Sequence, residues 1–214
     1  SILFSSAVER LTVNQLVPGS IPGRGVMSFS TKLLYKVPSR LPDELISSMI
    51  SYVETLHYQE GSALGDPDRV ARKSTVSWIP WDEWIPGIIY NMMHAANKEY
   101  FNYDLDYFNT KIQSTIYNGN SSDHYTWHVD NDDNSVNQTT GHERKLSCSL
   151  LLTDASEYEG GELQFHYERT FFKSVRPLKG ECYIFPAWVP HRVRPVRSGK
   201  RVSIVAWMAG PPFK

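Results

Sequence analysis

The spacing of apolar residues changes once along this chain, near Asn102, and the change restricts what the chain can fold into. Upstream of it, apolar residues recur every three or four positions in two segments, which is the period of an amphipathic helix. The first predicted helix runs from Leu41 to Tyr58, and the second follows Trp81. The N-terminal part of the chain is therefore expected to supply two helices, each with one buried face. These faces contain Ile46, Met49, Ile50, Val53 and Leu56 in the first helix, and Ile85, Ile88, Ile89, Met92 and Ala96 in the second.

Downstream of Asn102 the apolar period falls to two, which is typical of half-buried β-strands. Gly, Pro, Asn and Asp residues divide this region into short runs. Eight strands crowded into one half of a chain require two packed sheets. The sequence therefore predicts a mostly β (α+β) fold, a jelly-roll barrel or double-stranded β-helix buttressed by the N-terminal helices. The predicted strands are 110–118, 124–130, 145–153, 162–167, 171–176, 180–186, 190–196 and 201–208.

The length of 214 residues favours one large domain, because a typical domain takes roughly 150 residues. We predict a single domain over residues 27–214. Residues 1–26 are interpreted as a processed leader or as an extension added by cloning, because Met27 is a possible initiator and Leu16–Ser20 resembles a linker.

The net charge of the chain is −1, so its average electrostatic field attracts neither nucleic acid nor an anionic membrane. No apolar run approaches the ~20 residues of a membrane-spanning helix. Cys148 and Cys182 lie 34 residues apart without a CxxC pattern. We therefore expect two buried thiols and a cytoplasmic location, where thiols stay reduced.

The strongest local signal for chemistry is the pair His128 and Asp130. On a strand of period two, residues two apart project to the same face and can share one metal ion. His191 lies 63 residues further on, next to Pro190 and before a Val/Arg-alternating strand that can return it to the same barrel mouth. Two histidines and one carboxylate form the facial triad that binds non-haem Fe(II) and leaves positions open. We predict His128, Asp130 and His191 as catalytic residues and metal ligands.

Arg201 follows ten residues after His191, and Ser203 shares its strand face. A guanidinium inside a barrel needs an anionic partner, because a buried and unpaired one costs several kcal/mol. No acidic residue lies near Arg201 along the chain. Arg201 therefore indicates either a protein carboxylate brought close by the fold or an anionic ligand.

In their order and spacing, these residues resemble the Fe(II)- and 2-oxoglutarate-dependent dioxygenases, and specifically the prolyl 4-hydroxylase-like branch. The resemblance covers roughly residues 107–210. The motifs that carry it are Tyr117, His128-x-Asp130, Glu159-Gly160-Gly161-Glu162-Leu163, Pro190-His191-Arg192-Val193, Pro195-Val196, Gly199-Lys200-Arg201 and Trp207.

The resemblance implies a role for each matching residue. His128, Asp130 and His191 would ligate Fe(II), and Arg201 with help from Ser203 would clamp the distal carboxylate of 2-oxoglutarate. Tyr117 would hydrogen-bond this cosubstrate, and Trp207 would form an aromatic wall beside the metal. The implied cofactors are Fe(II), 2-oxoglutarate and O2, with ascorbate as reductant. The chain departs from the collagen-type enzymes, which usually carry lysine at the place of Arg201, and from the hypoxia-sensing type, which has a second tyrosine on the strand that here reads Leu150–Leu152.

The leading hypothesis for the substrate is a prolyl residue in a peptide or protein with an exposed proline. X-Pro segments favour an extended backbone, which can lie across a barrel mouth without unfolding a helix. The alternatives are a hydroxylase of a free amino acid or small molecule and a nucleic-acid demethylase that uses the basic C-terminal third. A barrel that binds a metal or carboxylate without turnover is disfavoured by the intact triad and Arg201. A membrane partner is not expected, and the net charge argues against nucleic acid.

Positions are also predicted for four further side chains and one segment near the predicted site. Tyr125 and Trp127 are predicted to face the core, on the opposite side of their strand from His128. Arg144 and Lys145 are candidates to approach a substrate at the mouth. The polar segment from Asn131 to Glu143 is long enough to act as a lid, and a passive connection is the alternative.

Overall fold

The computed structural model describes residues 33–61, 63, 68, 70–132, 135–168 and 171–213; the predicted leader, 1–26, lies outside this part of the chain. Both predicted helices are present. Helix α1 spans Asp43–Glu54 and begins directly after Pro42. Helix α2 spans Trp84–Ala96 and carries Pro86 in its first turn, where its missing N–H costs no hydrogen bond. A π-helical turn, Asn97–Phe101, continues α2, and Asn102 ends it with a left-handed backbone (φ 60°).

Each of the eight predicted strands overlaps a strand of the structure, and within the described residues six further strands of two to five residues complete the sheets. The last predicted strand begins five residues earlier than expected, at Val196. In chain order the strands are β1 Tyr35–Lys36, β2 Gln59–Glu60, β3 Arg72–Lys73, β4 Thr75–Ile79, β5 Tyr107–Phe108, β6 Ile112–Asn118, β7 His124–His128, β8 Glu143–Leu151, β9 Tyr158–Gly160, β10 Leu163–Glu168, β11 Phe171–Val175, β12 Cys182–Pro186, β13 His191–Val193 and β14 Val196–Gly210.

The strands form two antiparallel sheets. The larger one has the order β1-β12-β8-β14-β6-β4-β2, with β5 and β9 also paired to β14. The smaller one has the order β11-β10-β13-β7-β3. Because most neighbours in each sheet are distant in sequence, the chain crosses repeatedly between the sheets, which is the jelly-roll arrangement. The predicted fold class, a double-stranded β-helix with N-terminal helices, is confirmed.

The alternation of residues along β8 explains how the layers pack. Leu146, Cys148 and Leu150 are fully buried in the core between the larger sheet and the two helices. Ser147 and Ser149 point the other way, into the space between the sheets. Both cysteines are buried and unbridged, as predicted. The larger sheet therefore has one apolar face that packs on helices and one face with polar positions that looks into the barrel.

A second core fills the space between the two sheets. Phe165, Phe185 and Leu163 are among its buried members. Next to them the sheets leave a cavity of about 260 Å³. In the part of the chain that the structure describes, no helix has the length and apolarity needed to cross a membrane. The cytoplasmic location stays a prediction.

Candidate metal centre and carboxylate pocket

Strand pairing brings the three predicted metal ligands together. His128 is the last residue of β7 and lies opposite His191, the first residue of β13. Asp130 follows two residues after His128. One ligand atom from each side chain lies within 4.8 Å of the other two. The Nε2 atom of His191 is 3.4 Å from Asp130 Oδ2, and the Nε2 atom of His128 is 3.8 Å from Asp130 Oδ1.

Both imidazoles are oriented by the same backbone contact. His128 Nδ1 donates to the carbonyl oxygen of Thr126 at 2.8 Å, and His191 Nδ1 donates to that of Val189 at 2.9 Å. A carbonyl oxygen can only accept, so these bonds place the imidazole proton on Nδ1. The Nε2 lone pairs are therefore free toward Asp130, as a metal ligand requires.

The charge states of the cluster suit a divalent cation. Burial, reinforced by His191, lowers the pKa of His128 from 6.5 to about 3, so its imidazole is neutral at physiological pH. Burial alone raises the pKa of the Asp130 carboxyl, but the two histidines, the Ser147 hydrogen bond and Arg144 outweigh it and hold that pKa below its usual value. Two nitrogen donors and one carboxylate are the donor set of non-haem Fe(II) sites, so these residues fit the implied metal.

Arg201 forms a second polar feature of the same cavity. Its side chain is 1% exposed, and Nη1 donates to Ser203 Oγ at 3.1 Å. Its Nε and Nη2 atoms are buried without a hydrogen-bond partner. Within the described ranges no carboxylate oxygen lies within 4.0 Å of this guanidinium. Of the two partners left open by the sequence, an anionic ligand is the one that the pocket suits.

Tyr117 lies opposite Arg201 in the pairing of β6 with β14, and the guanidinium is 5.6 Å from the phenol ring. Burial raises the pKa of Tyr117, so its hydroxyl stays protonated and able to donate. Ser203 and Trp207 follow Arg201 on the same face of β14. All seven predicted site residues line one cavity: Tyr117, His128, Asp130, His191, Arg201, Ser203 and Trp207.

Tyr125 packs against the core between the sheets, as predicted, but the prediction that it lies on the opposite side of β7 from His128 was wrong, and so was the prediction that Trp127 faces the core. Between the pairs Val193–Tyr125 and His191–His128, β7 advances three residues while β13 advances two, so β7 contains a bulge. The bulge turns Tyr125 into the cavity, where its ring stacks on the imidazole of His128 at 3.5 Å. Trp127 is 39% exposed, with Arg192 4.5 Å from its ring. Strand alternation in a single sequence carries no signal for such an inserted residue.

A bulge in β8 separates the two basic candidates of that strand. The register between β8 and β14 shifts next to Lys145, so Arg144 lines the cavity while Lys145 does not. Arg144 donates through Nε to Asn109 Oδ1 at 2.8 Å, and its guanidinium lies 4.3 Å from the ring of Trp207. Lys145 is buried elsewhere, 3.1 Å from Glu143 and 3.2 Å from the ring centre of Phe213.

Arg72, Trp78 and Gln113 also line the cavity, and sequence reasoning did not identify them. Arg72 Nη2 donates to Gln113 Oε1 at 2.9 Å, and the same guanidinium lies 4.8 Å from the ring of Tyr125. Trp78 is 37% exposed, as is Val129, another lining residue. The cavity therefore combines a buried polar interior with apolar residues that reach solvent.

The segment after Asp130 is fixed to the barrel at several points. Asn109 Nδ2 donates to the carbonyl oxygen of Ser135 at 3.0 Å. His142 Nδ1 is 3.0 Å from Asp106 Oδ2, and Tyr107 and Thr140 share a hydroxyl contact of 3.2 Å. These contacts favour the passive connection over the lid for the described part of this segment.

Comparison with known proteins points in the same direction as this geometry. Residues 112–209 match the model of the 2OG-Fe(II) oxygenase superfamily. A PKHD-type hydroxylase from Synechococcus sp. (strain CC9902) is 38% identical over 86 residues, which cover 40% of this chain and 36% of that protein. This chain thus spans just over a third of that relative. A PKHD-type hydroxylase from Colwellia psychrerythraea is 26% identical over 176 residues, covering 82% of this chain and 78% of that protein.

Solved structures share the fold at low sequence identity. A prolyl-4-hydroxylase from Pseudomonas putida superposes with a TM-score of 0.63 at 20% identity, covering 86% of this chain and 95% of that one. A prolyl hydroxylase from Trichoplax adhaerens, in complex with a peptide fragment of the hypoxia inducible factor oxygen degradation domain, superposes with a TM-score of 0.64 at 19% identity, covering 83% and 84%. At such identities the likeness establishes the architecture.

Proposed function

Residues 112–209 match the model of the 2OG-Fe(II) oxygenase superfamily, and on that premise we propose that this protein is a 2-oxoglutarate- and Fe(II)-dependent dioxygenase that hydroxylates a prolyl residue in a peptide or protein. The observation that carries the proposal is one cavity with two separate polar ends. At one end the His128, Asp130 and His191 donors converge, and at the other the Arg201 guanidinium is buried with two unpaired nitrogen atoms. The first end suits a divalent metal, and the second suits a carboxylate.

The residues divide the work between holding the metal and holding the cosubstrate. His128, Asp130 and His191 would hold Fe(II). Arg201 would bind the distal carboxylate of 2-oxoglutarate, with Ser203 fixing the guanidinium and the protonated Tyr117 donating a further hydrogen bond. Burial strengthens each of these contacts, because water does not compete for them.

The chemistry itself comes from the bound groups. When bound, Fe(II) with 2-oxoglutarate and O2 converts a C–H bond of the substrate into C–OH, while the cosubstrate becomes succinate and CO2. Ascorbate is proposed as the reductant that keeps the metal ferrous. The protein excludes water and presents the substrate carbon next to the metal ligands.

The mouth of the cavity supports a peptide substrate. Trp78 and Val129 offer exposed apolar surface there, and Trp207 with the stacked Arg144 forms a wall next to the ligands. A proline ring is apolar and flat enough to pack against such aromatic faces, and its chain is already extended. The names of the relatives, PKHD-type hydroxylases, and of the structural neighbours, prolyl hydroxylases, agree with this substrate class.

Turnover of the cosubstrate tests the oxygenase part of the proposal. We expect purified protein with Fe(II), O2 and ascorbate to convert 2-oxoglutarate slowly to succinate even without substrate, because the residues proposed to hold the metal and the cosubstrate line one cavity. The variants His128→Ala and Asp130→Ala should abolish succinate formation, measured by mass spectrometry. Unchanged succinate formation in both variants would reject the metal assignment.

The prolyl assignment needs a separate measurement. Incubation with a proline-rich peptide library and with cell lysate should add one oxygen atom to a peptide, and fragmentation should place that atom on proline. Oxygen on lysine, on a free amino acid or on a methylated base would reject the prolyl substrate and leave the oxygenase assignment standing.

A further inference from the structure

One hydrogen bond in the metal centre comes from a residue that is not itself a predicted metal ligand. The hydroxyl of Ser147 donates to Oδ2 of Asp130 at 2.6 Å, a short contact between two buried side chains. Ser147 is fully buried and Asp130 is 7% exposed, so water does not compete for the bond. A bond of this length to an ionised oxygen is charge-assisted and stronger than one between neutral groups.

From this contact we infer that Ser147 is a positioning residue that fixes the Asp130 carboxylate so that one oxygen, Oδ1, is offered to the metal. The inference rests on the proposed function for its metal. An isolated carboxylate can bind a metal through one oxygen or through both. The Ser147 hydrogen bond occupies one lone pair of Oδ2 and makes that oxygen the weaker donor, while Oδ1 accepts no hydrogen bond from a described side chain. A facial triad that uses one oxygen keeps its remaining positions open for ligands other than protein.

The rest of the Asp130 residue is held by neighbouring contacts, so the Ser147 bond is what sets the rotation of its carboxylate. Its backbone N–H donates to the carbonyl oxygen of Ala187 at 2.8 Å. Its carbonyl oxygen accepts from Nη1 of Arg144 at 3.3 Å. These contacts fix the backbone but leave the carboxylate plane undetermined, and the hydroxyl of Ser147 contacts that plane directly.

The β8 bulge brings Arg144 to the same residue as Ser147. Arg144 and Ser147 are three residues apart, and a regular strand would turn them to opposite faces. The register shift at Lys145 places both next to Asp130. Regular alternation along β8 therefore supplies the Ser147 contact to the carboxylate, and the bulge adds the Arg144 contact to the backbone carbonyl of the same residue.

The chain offers a closely matched control for the test. Ser114, on β6, is also fully buried in the larger sheet, and its hydroxyl contacts that of Tyr58 at 2.7 Å. It does not line the cavity, so Ser114→Ala removes a hydroxyl and its hydrogen bond from the same sheet without touching Asp130. Ser147→Thr serves as the conservative variant, because it keeps a hydroxyl at the same place.

We expect Ser147→Ala to weaken binding of Co(II), a redox-stable probe for the site, by about 10- to 100-fold, the usual effect of losing a partner of a metal ligand. The visible absorption spectrum of bound Co(II) should change as well, because the carboxylate can then bind through both oxygens. Titration of Co(II)-loaded protein with 2-oxoglutarate should show weaker binding in this variant for the same reason. Ser147→Thr should restore the spectrum, and Ser114→Ala should match the wild type in all three measurements.

A wild-type Co(II) affinity and spectrum in Ser147→Ala would overturn the inference, as would an equal loss in Ser114→Ala. These results are separable from failure of the proposed function. A protein whose Co(II) spectrum depends on Ser147 but which forms no succinate with Fe(II) would refute the oxygenase activity and support the role of Ser147.

Discussion

Four side chains of the cavity are each anchored through one polar atom and keep another atom available. His128 and His191 use Nδ1 for a backbone carbonyl and keep Nε2. Asp130 uses Oδ2 for Ser147 and keeps Oδ1. Arg201 uses Nη1 for Ser203 and keeps Nε and Nη2. Anchoring of this kind lowers the conformational entropy that ligand binding has to remove, so the site is prepared before a ligand arrives.

The Arg201 anchor leads to a prediction at the same scale. Arg201→Ala should weaken 2-oxoglutarate binding to the Co(II)-loaded protein by about 30- to 1000-fold, because a buried pairing of guanidinium and carboxylate is worth ~2–4 kcal/mol. Arg201→Lys should lose less, since it keeps the charge but not the two-nitrogen geometry. Calorimetric titration gives the affinities directly.

The Co(II) affinity of these variants serves as the internal control, because Arg201 is not a metal ligand and its loss should leave that affinity unchanged. Arg176→Ala is an arginine control outside the cavity, since Arg176 is exposed, donates to the carbonyl oxygens of Ala155 and Tyr158 and lies 5.5 Å from the Tyr158 ring. Wild-type 2-oxoglutarate affinity in Arg201→Ala would move the carboxylate site elsewhere.

At the scale of elements, apolar period was enough to predict both helices, eight of the fourteen strands in the described residues and the packing of two sheets. Regular alternation also placed Arg201, Ser203 and Trp207 on one face of β14, as the pairing with β6 and β8 shows. The prediction failed where strands are irregular. Tyr125 and the separation of Arg144 from Lys145 both depend on bulges, and a bulge depends on cross-strand pairing that local sequence does not specify.

The convergence of the metal ligands could not be predicted from the apolar period. His191 is adjacent to His128 because β13 pairs with β7, a contact between segments 63 residues apart. No local pattern predicts that pairing. The resemblance to a known family supplied it, and the strand order of the smaller sheet gives its physical explanation.

The turn before β10 contains a glycine that lies against the side chain of Arg201. Gly161 has a positive φ of 64°, and a Cβ atom there would lie 2.9 Å from Cδ of Arg201 and 3.0 Å from Cγ2 of Val196. Gly161→Ala should therefore destabilise the protein by about 1–3 kcal/mol and weaken 2-oxoglutarate binding, because Arg201 must move. Urea unfolding and calorimetric titration measure the two effects.

Two other glycines separate the causes of this effect. Gly141 also has a positive φ, 70°, but its added Cβ meets nothing within 4 Å, so Gly141→Ala reports backbone strain alone. Gly87 lies inside α2 with equally open space, and Gly87→Ala should stabilise the protein by about 0.5–1 kcal/mol. If Gly161→Ala and Gly141→Ala had the same effect on cosubstrate affinity, contact with Arg201 would not be the cause.

At the scale of the whole molecule, the two cores differ in how many polar groups they bury. The core between the larger sheet and the helices is apolar. The space between the sheets holds buried polar groups, among them His191, Asp130 and Arg201. Burying such groups costs stability unless partners compensate for lost water. The polar groups that the proposed function requires therefore lower the stability of the barrel interior. The apolar core between the larger sheet and the helices offsets this loss.

The burial of His128 predicts how the stability of the metal-free protein depends on pH. The pKa of His128 is about 3 in the folded state against 6.5 for a free imidazole, so between these values the unfolded chain binds a proton that the folded protein does not. Stability therefore falls as the pH drops below about 6.5. From pH 6.5 to 5, we expect a loss of about 1–2 kcal/mol from this residue. Asp130 does not contribute in this window, because its folded-state pKa lies below its already acidic usual value.

Urea unfolding in the presence of a chelator, at pH 6.5 and at pH 5, measures this loss. The variant His128→Gln has no imidazole at this position, so its free energy of unfolding should fall by about 1–2 kcal/mol less than that of the wild type over the same interval. In a parallel series without chelator, saturating Co(II) should increase the free energy of unfolding of the wild type, because a ligand that binds only the folded state stabilises it. An identical fall in wild type and His128→Gln would mean that His128 is not held neutral by burial, and that another group controls the acid sensitivity of the barrel.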